Sequence, residues 1–370
     1  MTEKDEKDCI YVGSIGIAKS CDVRCDPLES STTNIPDITK IYNNCSVYVC
    51  NTSIKNFADK IDDIKCNFVL VSGDSDEDNY NRTFSNNYDD FLKFIENDKI
   101  IHWFCQNCTV SHPKISKLAI GLDYHSNHHS NVIKLEKEAK LIEIKKNQKP
   151  FSERIHKCYV NFTEPIFWYY YKQNRIDALH QIKNELIFKE EENQNVLVCW
   201  QNQTEYAFVI SPPGNGLDCH RTWEALILGC IPIVYSSGID ELFDDLPVLI
   251  VNDWNDITQE LLDNTIEKYK NVTFNYDKLL LKYWTDKINS YKSIKQEPFT
   301  TFTKYYNNNN DNDFNILYTC LLIILFLILF YIINKKYSFI YFFTHLNILN
   351  SINNFSLYFT KNNKIKKKIK

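Results

Sequence analysis

The sequence predicts an α/β protein with parallel sheets, followed by a helix that spans a membrane. Short apolar runs alternate with stretches of helical charge pairing, and this alternation is typical of parallel α/β architecture. A turn rich in Gly and Pro follows one of the later apolar runs, at residues 212–216. Residues 314–333 contain no charged side chain. These observations predict a globular part that ends near residue 300 and an anchor beyond it.

The predicted strands form two groups. The first group consists of residues 67–72, 100–105 and 115–122. The second group consists of residues 158–162, 196–200, 206–211, 231–235 and 248–251. The spacing of charged and apolar side chains predicts helices at residues 89–97, 132–146, 176–189, 256–270 and 276–291.

The predicted elements divide the chain into regions. Residues 1–60 are poorly patterned, and two α/β domains follow at 61–155 and 156–300. The remaining regions are a linker at 301–313, the membrane helix at 314–334 and a basic tail at 335–370.

The composition excludes one class of partner and leaves the compartment open. A net charge of −5 gives no basic surface for nucleic acid. The 13 cysteines follow no disulfide or zinc spacing, so we expect buried free thiols. Seven Asn-x-Ser/Thr sequons precede the membrane segment, but a chain this rich in Asn produces nearly that many by chance, so they do not establish a secretory location.

The membrane segment predicts a lipid bilayer as a partner and a single pass through it. Twenty residues without a charge span about 30 Å as a helix, which matches a bilayer core. Lysines follow the span and Asp311 and Asp313 precede it, which places the tail in the cytosol by the positive-inside rule. Post-translational insertion would instead leave the globular part in the cytosol. We favour this second orientation.

Residues 206–234 depart from the composition of the rest of the chain. Four of the eight glycines and four of the ten prolines lie at residues 212–247, and Arg221 is one of five arginines. An apolar strand runs into the Gly-rich turn, and a helix is predicted to start near Asp218 as N-cap. Backbone N–H groups at such a helix start favour a diphosphate. Arg221 could pair with it, and Glu224 lies on the same helical face. An ordinary strand–turn–helix is the alternative.

The run Ser-Pro-Pro-Gly-Asn-Gly-Leu-Asp-Cys-His-Arg-Thr-Trp-Glu-Ala-Leu-Ile-Leu-Gly-Cys-Ile-Pro-Ile-Val, residues 211–234, resembles the donor-site signature of exostosin-like glycosyltransferases. Weaker similarity continues at residues 246–254 and 120–125. The resemblance implies a GT-B fold, in which two Rossmann-like halves face a cleft. The first half would hold a glycan or glycoconjugate acceptor. The second half would hold a nucleotide sugar, a UDP or GDP sugar, as co-substrate, and no other cofactor is required.

The resemblance also implies the donor-site residues. They are Pro213, Gly214, Asn215, Gly216, Asp218, His220, Arg221 and Glu224. The family pattern lacks a counterpart of residues 218–220, which leaves the identity of the donor open.

A base is needed if transfer inverts the anomeric centre. Asp123 and His125 follow a predicted strand of the first half and are the catalytic candidates, with ordinary turn chemistry as the alternative. His128 and His129 lack partners at metal-ligand spacing, so no metal site is predicted there.

Two other functions stay open. Asp74-Ser75-Asp76 follows an apolar strand and could chelate a divalent cation in a GT-A-like, metal-dependent transferase, although a solvated acidic loop is the simpler interpretation. A non-catalytic membrane or particle-surface protein could also retain the fold without turnover.

Overall fold

The computed structural model describes residues 5–76, 78, 80, 83–85, 87–124, 134–162, 171–190 and 194–293. This part of the chain is α/β, with two parallel sheets of four and five strands flanked by helices.

The first sheet has its strands side by side in chain order, β1-β2-β3-β4. The strands are β1 (Cys45–Cys50), β2 (Phe68–Gly73), β3 (Ile100–Gln106) and β4 (Ile115–Leu118). The helices of this half are α1 (Ser14–Ser20), α2 (Ile54–Ala58) and α3 (Tyr88–Ile95). Along β2, Val69 and Val71 enter one core cluster and Phe68 and Leu70 another. The strand is therefore buried on both faces, which explains its continuous apolar sequence.

The second sheet has the order β6-β5-β7-β8-β9. The strands are β5 (Ile155–Val160), β6 (Ile187–Lys189), β7 (Tyr206–Ile210), β8 (Ile231–Tyr235) and β9 (Leu249–Val251). The helices that precede or connect them are α4 (Lys134–Lys146), α5 (Lys172–Gln181), α6 (Val196–Gln203) and α7 (His220–Ile227), and α8 (Gln259–Tyr269) follows the last strand. The chain moves from β5 outward to β6 and then returns past β5 to β7. The strand order therefore reverses between β5 and β7.

The last helix, α9 (Leu281–Lys292), returns to the first sheet. Trp284 and Ile288 are buried in the cluster that also contains Val69 and Val71 of β2. The ring of Tyr291 lies 4.0 Å from that of His102 on β3. Because α9 follows the second sheet in sequence, this packing ties the end of the globular part to its first half.

Most predicted elements are confirmed, and three differ. Residues 196–200 were expected to form a strand, but they begin α6, where the Asn195 side chain accepts from the Leu197 N–H as N-cap. The predicted helix at 176–189 ends at Gln181, and β6 follows it. Residues 1–60, expected to be poorly patterned, contain α1, β1 and α2.

The predicted membrane helix at 314–334, the linker and the basic tail lie outside the described residues. Within the part that the structure does describe, no helix is long and apolar enough to cross a bilayer.

The packing of α9 predicts where the chain can be cut. We expect a fragment ending at Ile294 to fold, because the compact unit ends there. A fragment ending at Leu280 should not fold cooperatively, because it loses the buried Trp284 and Ile288. Circular dichroism melts of the two fragments measure the difference. Equal cooperative melting would show that α9 is dispensable.

Candidate functional site

The candidate site lies at the carboxyl edge of the second sheet, where the strand order reverses. β5 ends just before Asn161 and Phe162, and β7 ends just before Ser211 and Pro212. In open parallel sheets, ligands bind outside the carboxyl ends of the strands at such a switch point. The Gly-rich segment singled out in the sequence therefore lies where the topology by itself predicts a ligand.

Two arginines converge on this point. Arg175, on α5, donates from Nε to the Pro213 carbonyl at 3.2 Å, and Arg221, on α7, donates from Nη1 to the Pro212 carbonyl at 3.4 Å. Their guanidinium carbons lie 5.7 and 5.3 Å from the centre of the Phe162 ring.

The two cations lie close together, because both contact the Phe162 ring and donate to neighbouring loop carbonyls. Burial lowers the pKa of the Arg221 guanidinium, and the neighbouring positive charge of Arg175 lowers it further, against the opposing effects of Cys219 and Glu224. Among the described residues, no carboxylate lies within 4.0 Å of Arg221. Two partly desolvated cations without an ion pair on Arg221 are electrostatically suited to an anion that carries more than one charge.

The glycines of the loop are explained by close packing. Gly214 N–H donates to the Gly216 carbonyl, and neither residue has a positive φ. A Cβ on Gly214 would lie 2.8 Å from Arg175 Nη2, and one on Gly216 would lie 2.8 Å from Asn107 Nδ2. Gly214 therefore makes room for a guanidinium, while Gly216 makes room for the first half of the protein. Asn215, between them, is exposed.

A cavity of about 270 Å³ adjoins the loop. It is bounded by Ser211, Pro213 and Leu217 of the loop, by the end of β8 at residues 234–237, and by Tyr171 and Asn174 at the start of α5. The carboxamide oxygen of Asn174 is buried and accepts no hydrogen bond from any described residue. A buried acceptor of this kind costs free energy unless a donor reaches it, so the cavity is suited to a ligand with a hydrogen-bond donor.

Asp218 does not cap the helix as the sequence predicted. α7 begins at His220, and Cys219 is the N-cap residue. The Asp218 carboxylate instead accepts the Ile120 N–H at 2.8 Å and the Trp223 indole N–H at 2.9 Å. Its own backbone N–H donates to Asn107 Oδ1 at 2.9 Å. Because Ile120 and Asn107 belong to the first half, Asp218 joins the two halves at the start of α7.

Burial raises the pKa of Asp218 to about 6, although the Ile120 N–H and the Trp223 indole oppose this. A pKa above the ordinary value means that the protonated form is favoured in the folded state. Protonation of Asp218 therefore stabilises the fold. This stabilisation is complete below about pH 4 and is lost as pH rises through about 6.

We therefore expect the free energy of unfolding of the wild type to fall as pH rises from about 4 to about 7. The fall should exceed that of Asp218→Asn by on the order of 2 kcal/mol. The asparagine can still accept these hydrogen bonds but does not titrate. Denaturant unfolding of both proteins across this range measures the difference. Parallel pH profiles would show that Asp218 carries no such linkage.

His220 and Glu224 lie where α7 meets the loop after β4. His220 Nδ1 is 2.7 Å from the Gly121 carbonyl, so this nitrogen carries the proton and donates. Burial raises the pKa of Glu224. Trp200, His220 and Arg221 act to lower it, and the negative charge of Asp123 adds to the increase. The charge of Asp123, on the predicted acceptor side, therefore acts on Glu224, on the predicted donor side.

The other predicted residues fall into two groups. The Pro213 ring lines the cavity and its carbonyl accepts from Arg175, so Pro213 lies at the site with Gly214 and Arg221. His125, His128 and His129 lie outside the described residues.

The Asp74-Ser75-Asp76 motif packs beside the Gly-rich loop. A Cβ on Gly216 would lie 3.3 Å from the Asp76 backbone. Asp74 is 5% exposed and accepts from the Ser30 hydroxyl at 3.3 Å, while Asp76 is exposed. Among the described residues, no group of three His, Cys, Asp or Glu side chains is arranged to hold a metal ion. The buried member of this motif is thus part of the packing between β2 and the N-terminal segment.

Sequence reasoning missed Arg175, Phe162 and Asn174. Arg175 could have been found, because it is one of only five arginines in the chain, the same scarcity that drew attention to Arg221. Phe162 and Asn174 carry no comparable signal, since Phe and Asn are abundant. Only the reversal of strand order brings them to the loop.

No protein-family model matches this chain, and no curated protein matches it.

Proposed function

We propose that the protein is a glycosyltransferase of the GT-B type, similar to exostosins, which transfers a sugar from a nucleotide sugar to a hydroxyl acceptor. The observation that supports this most directly is the pair Arg175 and Arg221, which converge on Phe162 and the loop carbonyls at the switch point of the second sheet. A diphosphate carries the charge and the spread of oxygen atoms that two guanidinium groups can bind together.

The reaction assigns a role to this charge. The acceptor oxygen forms a bond to the anomeric carbon while the bond from that carbon to the diphosphate oxygen breaks. The leaving nucleoside diphosphate takes the bonding electrons, and Arg175 and Arg221 stabilise the negative charge that develops on it. The acceptor hydroxyl loses its proton to a base.

The cavity would hold one part of the donor. Its volume of about 270 Å³ is slightly below the range of about 300–1,000 Å³ found for small-molecule sites, so it suits the nucleoside more than the whole nucleotide sugar. Asn174 would accept a hydrogen bond from the base or ribose. Glu224 would accept from a hydroxyl of the sugar or ribose at the start of α7.

Asp123 is the candidate for the base within the described chain. It belongs to the first half, which would hold the acceptor, and its charge acts on Glu224 of the second half. His125, two residues further on, is the other candidate. A glycan, protein or lipid hydroxyl could serve as acceptor, and the proposed membrane helix would keep the enzyme at a bilayer.

A metal-dependent mechanism is less well supported, because the buried Asp74 is engaged with Ser30. The experiment that tests the proposal is a thermal-shift screen of the full chain in detergent with UDP, GDP and CMP sugars, followed by a transfer assay with and without EDTA. We expect stabilisation by one nucleotide class and transfer that survives EDTA. Binding without transfer or hydrolysis would favour a non-catalytic protein, and loss of transfer in EDTA would favour the metal-dependent alternative.

A further inference from the structure

We infer that the globular part folds in a compartment without N-glycosylation, so that the proposed transferase works on acceptors exposed to the cytosol. Two of the seven sequons place their acceptor asparagine inside the fold, at Asn51 and Asn107. The part of the inference that concerns acceptors depends on the proposed function. The part that concerns the compartment does not.

Asn51 has no room for a glycan. Its side chain is 0% exposed, and Nδ2, the atom to which a glycan would be attached, donates to the Gln106 carbonyl at 3.1 Å. The third residue of this sequon, Ser53, is also buried and donates to the Thr32 carbonyl at 2.6 Å. The sequon is therefore part of the packing at the carboxyl ends of β1 and β3.

Asn107 also has no room for a glycan, because its side chain connects the two halves of the protein. It is 2% exposed and has a φ of 55°. Its Nδ2 donates to the Ser75 carbonyl at 3.3 Å, and its Oδ1 accepts the Asp218 N–H at 2.9 Å. The Gly216 Cα packs directly against this amide. A sugar on Nδ2 would force the Gly-rich loop away from the first half.

The burial of Asn51 and Asn107 bears on the compartment because N-glycosylation precedes folding. Oligosaccharide is transferred to the Nδ2 atom of sequon asparagines while the chain enters the secretory lumen, before the fold can protect them. A chain synthesised there would carry bulky, hydrophilic groups at two positions that the native structure buries. A chain that folds in the cytosol meets no such obstacle.

The cysteines give independent support. None of the twelve cysteines in the described ranges forms a disulfide, and eight of them are buried. A hydrogen bond from Cys105 lowers the pKa of the Cys108 thiol, and no disulfide joins the two residues. Oxidising compartments convert many accessible thiols to disulfides during folding, whereas the cytosol keeps them reduced.

Two exposed sequons provide an internal control. Asn44 and Asn271 are exposed and lie at the protein surface. If the globular part were lumenal, these sites would accept glycans without conflict. If it is cytosolic, they stay unmodified even though they are accessible.

The test is peptide mapping of the full chain, purified from a eukaryotic host, with and without glycosidase treatment. We expect unmodified asparagine at Asn44, Asn51, Asn107 and Asn271. A glycan at Asn44 or Asn271 on folded protein would overturn the inference. Because the measurement needs no enzymatic activity, its failure is separate from failure of the proposed function.

A second experiment tests the physical premise. The full chain is directed into the secretory pathway by an added leader, alone and with Ser53→Ala and Thr109→Ala, which remove the buried sequons. We expect the parent chain to be glycosylated at Asn51 and Asn107 and retained unfolded, and the double variant to fold in a larger fraction. The same double variant made in the cytosol measures the cost of the two lost hydroxyls. A lumenal parent that is glycosylated at both sites and melts like the cytosolic protein would refute the premise.

Discussion

Replacing Arg221 by lysine is expected to weaken binding of the nucleotide donor nearly as much as replacing it by alanine, by roughly 1.5–3 kcal/mol, or about 10–150-fold in Kd. The reason is geometric. Arg221 already donates one N–H to the Pro212 carbonyl, and a planar guanidinium can keep that bond while it presents other donors to a phosphate. A lysine ammonium that reaches the same carbonyl has a different geometry and no fork. Calorimetric titration with the nucleoside diphosphate identified by the screen measures the effect.

Arg175 should act together with Arg221, so the double alanine variant is expected to lose measurable donor binding. Arg154 is the matched control. It is a buried arginine at the opposite end of α7, where it donates to the Leu228 carbonyl at 2.9 Å. Arg154→Ala should lower the melting temperature without changing the Kd of the folded protein. Unchanged donor affinity in Arg221→Lys would show that only the charge of Arg221, and not the geometry of its guanidinium, contributes to donor binding.

The sequence predicted the fold best where the physical signal is local. Residues 67–72 and 231–235 are continuous apolar runs because β2 and β8 are buried on both faces. Residues 196–200 have an equally apolar sequence but form a helix, because Asn195 caps it and α6 packs with one side exposed. A short apolar run cannot distinguish these outcomes.

β1 was missed for a related reason. Its sequence, Cys-Ser-Val-Tyr-Val-Cys, contains polar and sulfur-bearing residues, yet all six are buried. Ser46 is accommodated because the Asp22 carboxylate accepts from both its N–H and its hydroxyl. That partner lies 24 residues away in sequence, so no local pattern could have indicated the strand.

The sequence predicted which segment forms the candidate site, but not the contacts that its residues make. Scarce glycines and arginines marked the loop, yet they did not reveal that Gly216 makes room for Asn107 or that Asp218 binds Ile120. These contacts connect residues about 100 positions apart. A motif alone does not show which of its residues bind a ligand and which connect the two halves of the protein. The tertiary structure is needed to separate these two roles.

Glu224 is the residue whose placement within the fold most needs a ligand to explain it. It is half-buried on α7, between Trp223 and Ala225, which are both 0% exposed. Burial raises the pKa of its carboxyl, and the charges that oppose this effect come from His220 and Arg221 in the same turns of the helix. An ionised carboxylate in this position is costly to desolvate, so a hydroxyl that donates to it would relieve part of the cost.

We therefore expect Glu224→Gln to fold with a melting temperature near that of the wild type and to lower kcat/KM for transfer by at least about tenfold, on the order of 1.4 kcal/mol. Glutamine keeps the shape and one acceptor oxygen but removes the charge that strengthens the bond to a sugar or ribose hydroxyl. Glu267→Gln, at an exposed carboxylate on α8, is the surface control and should leave transfer unchanged. A folded, fully active Glu224→Gln would remove Glu224 from the donor site, whereas a variant that unfolds would assign it a structural role between α7 and the loop after β4.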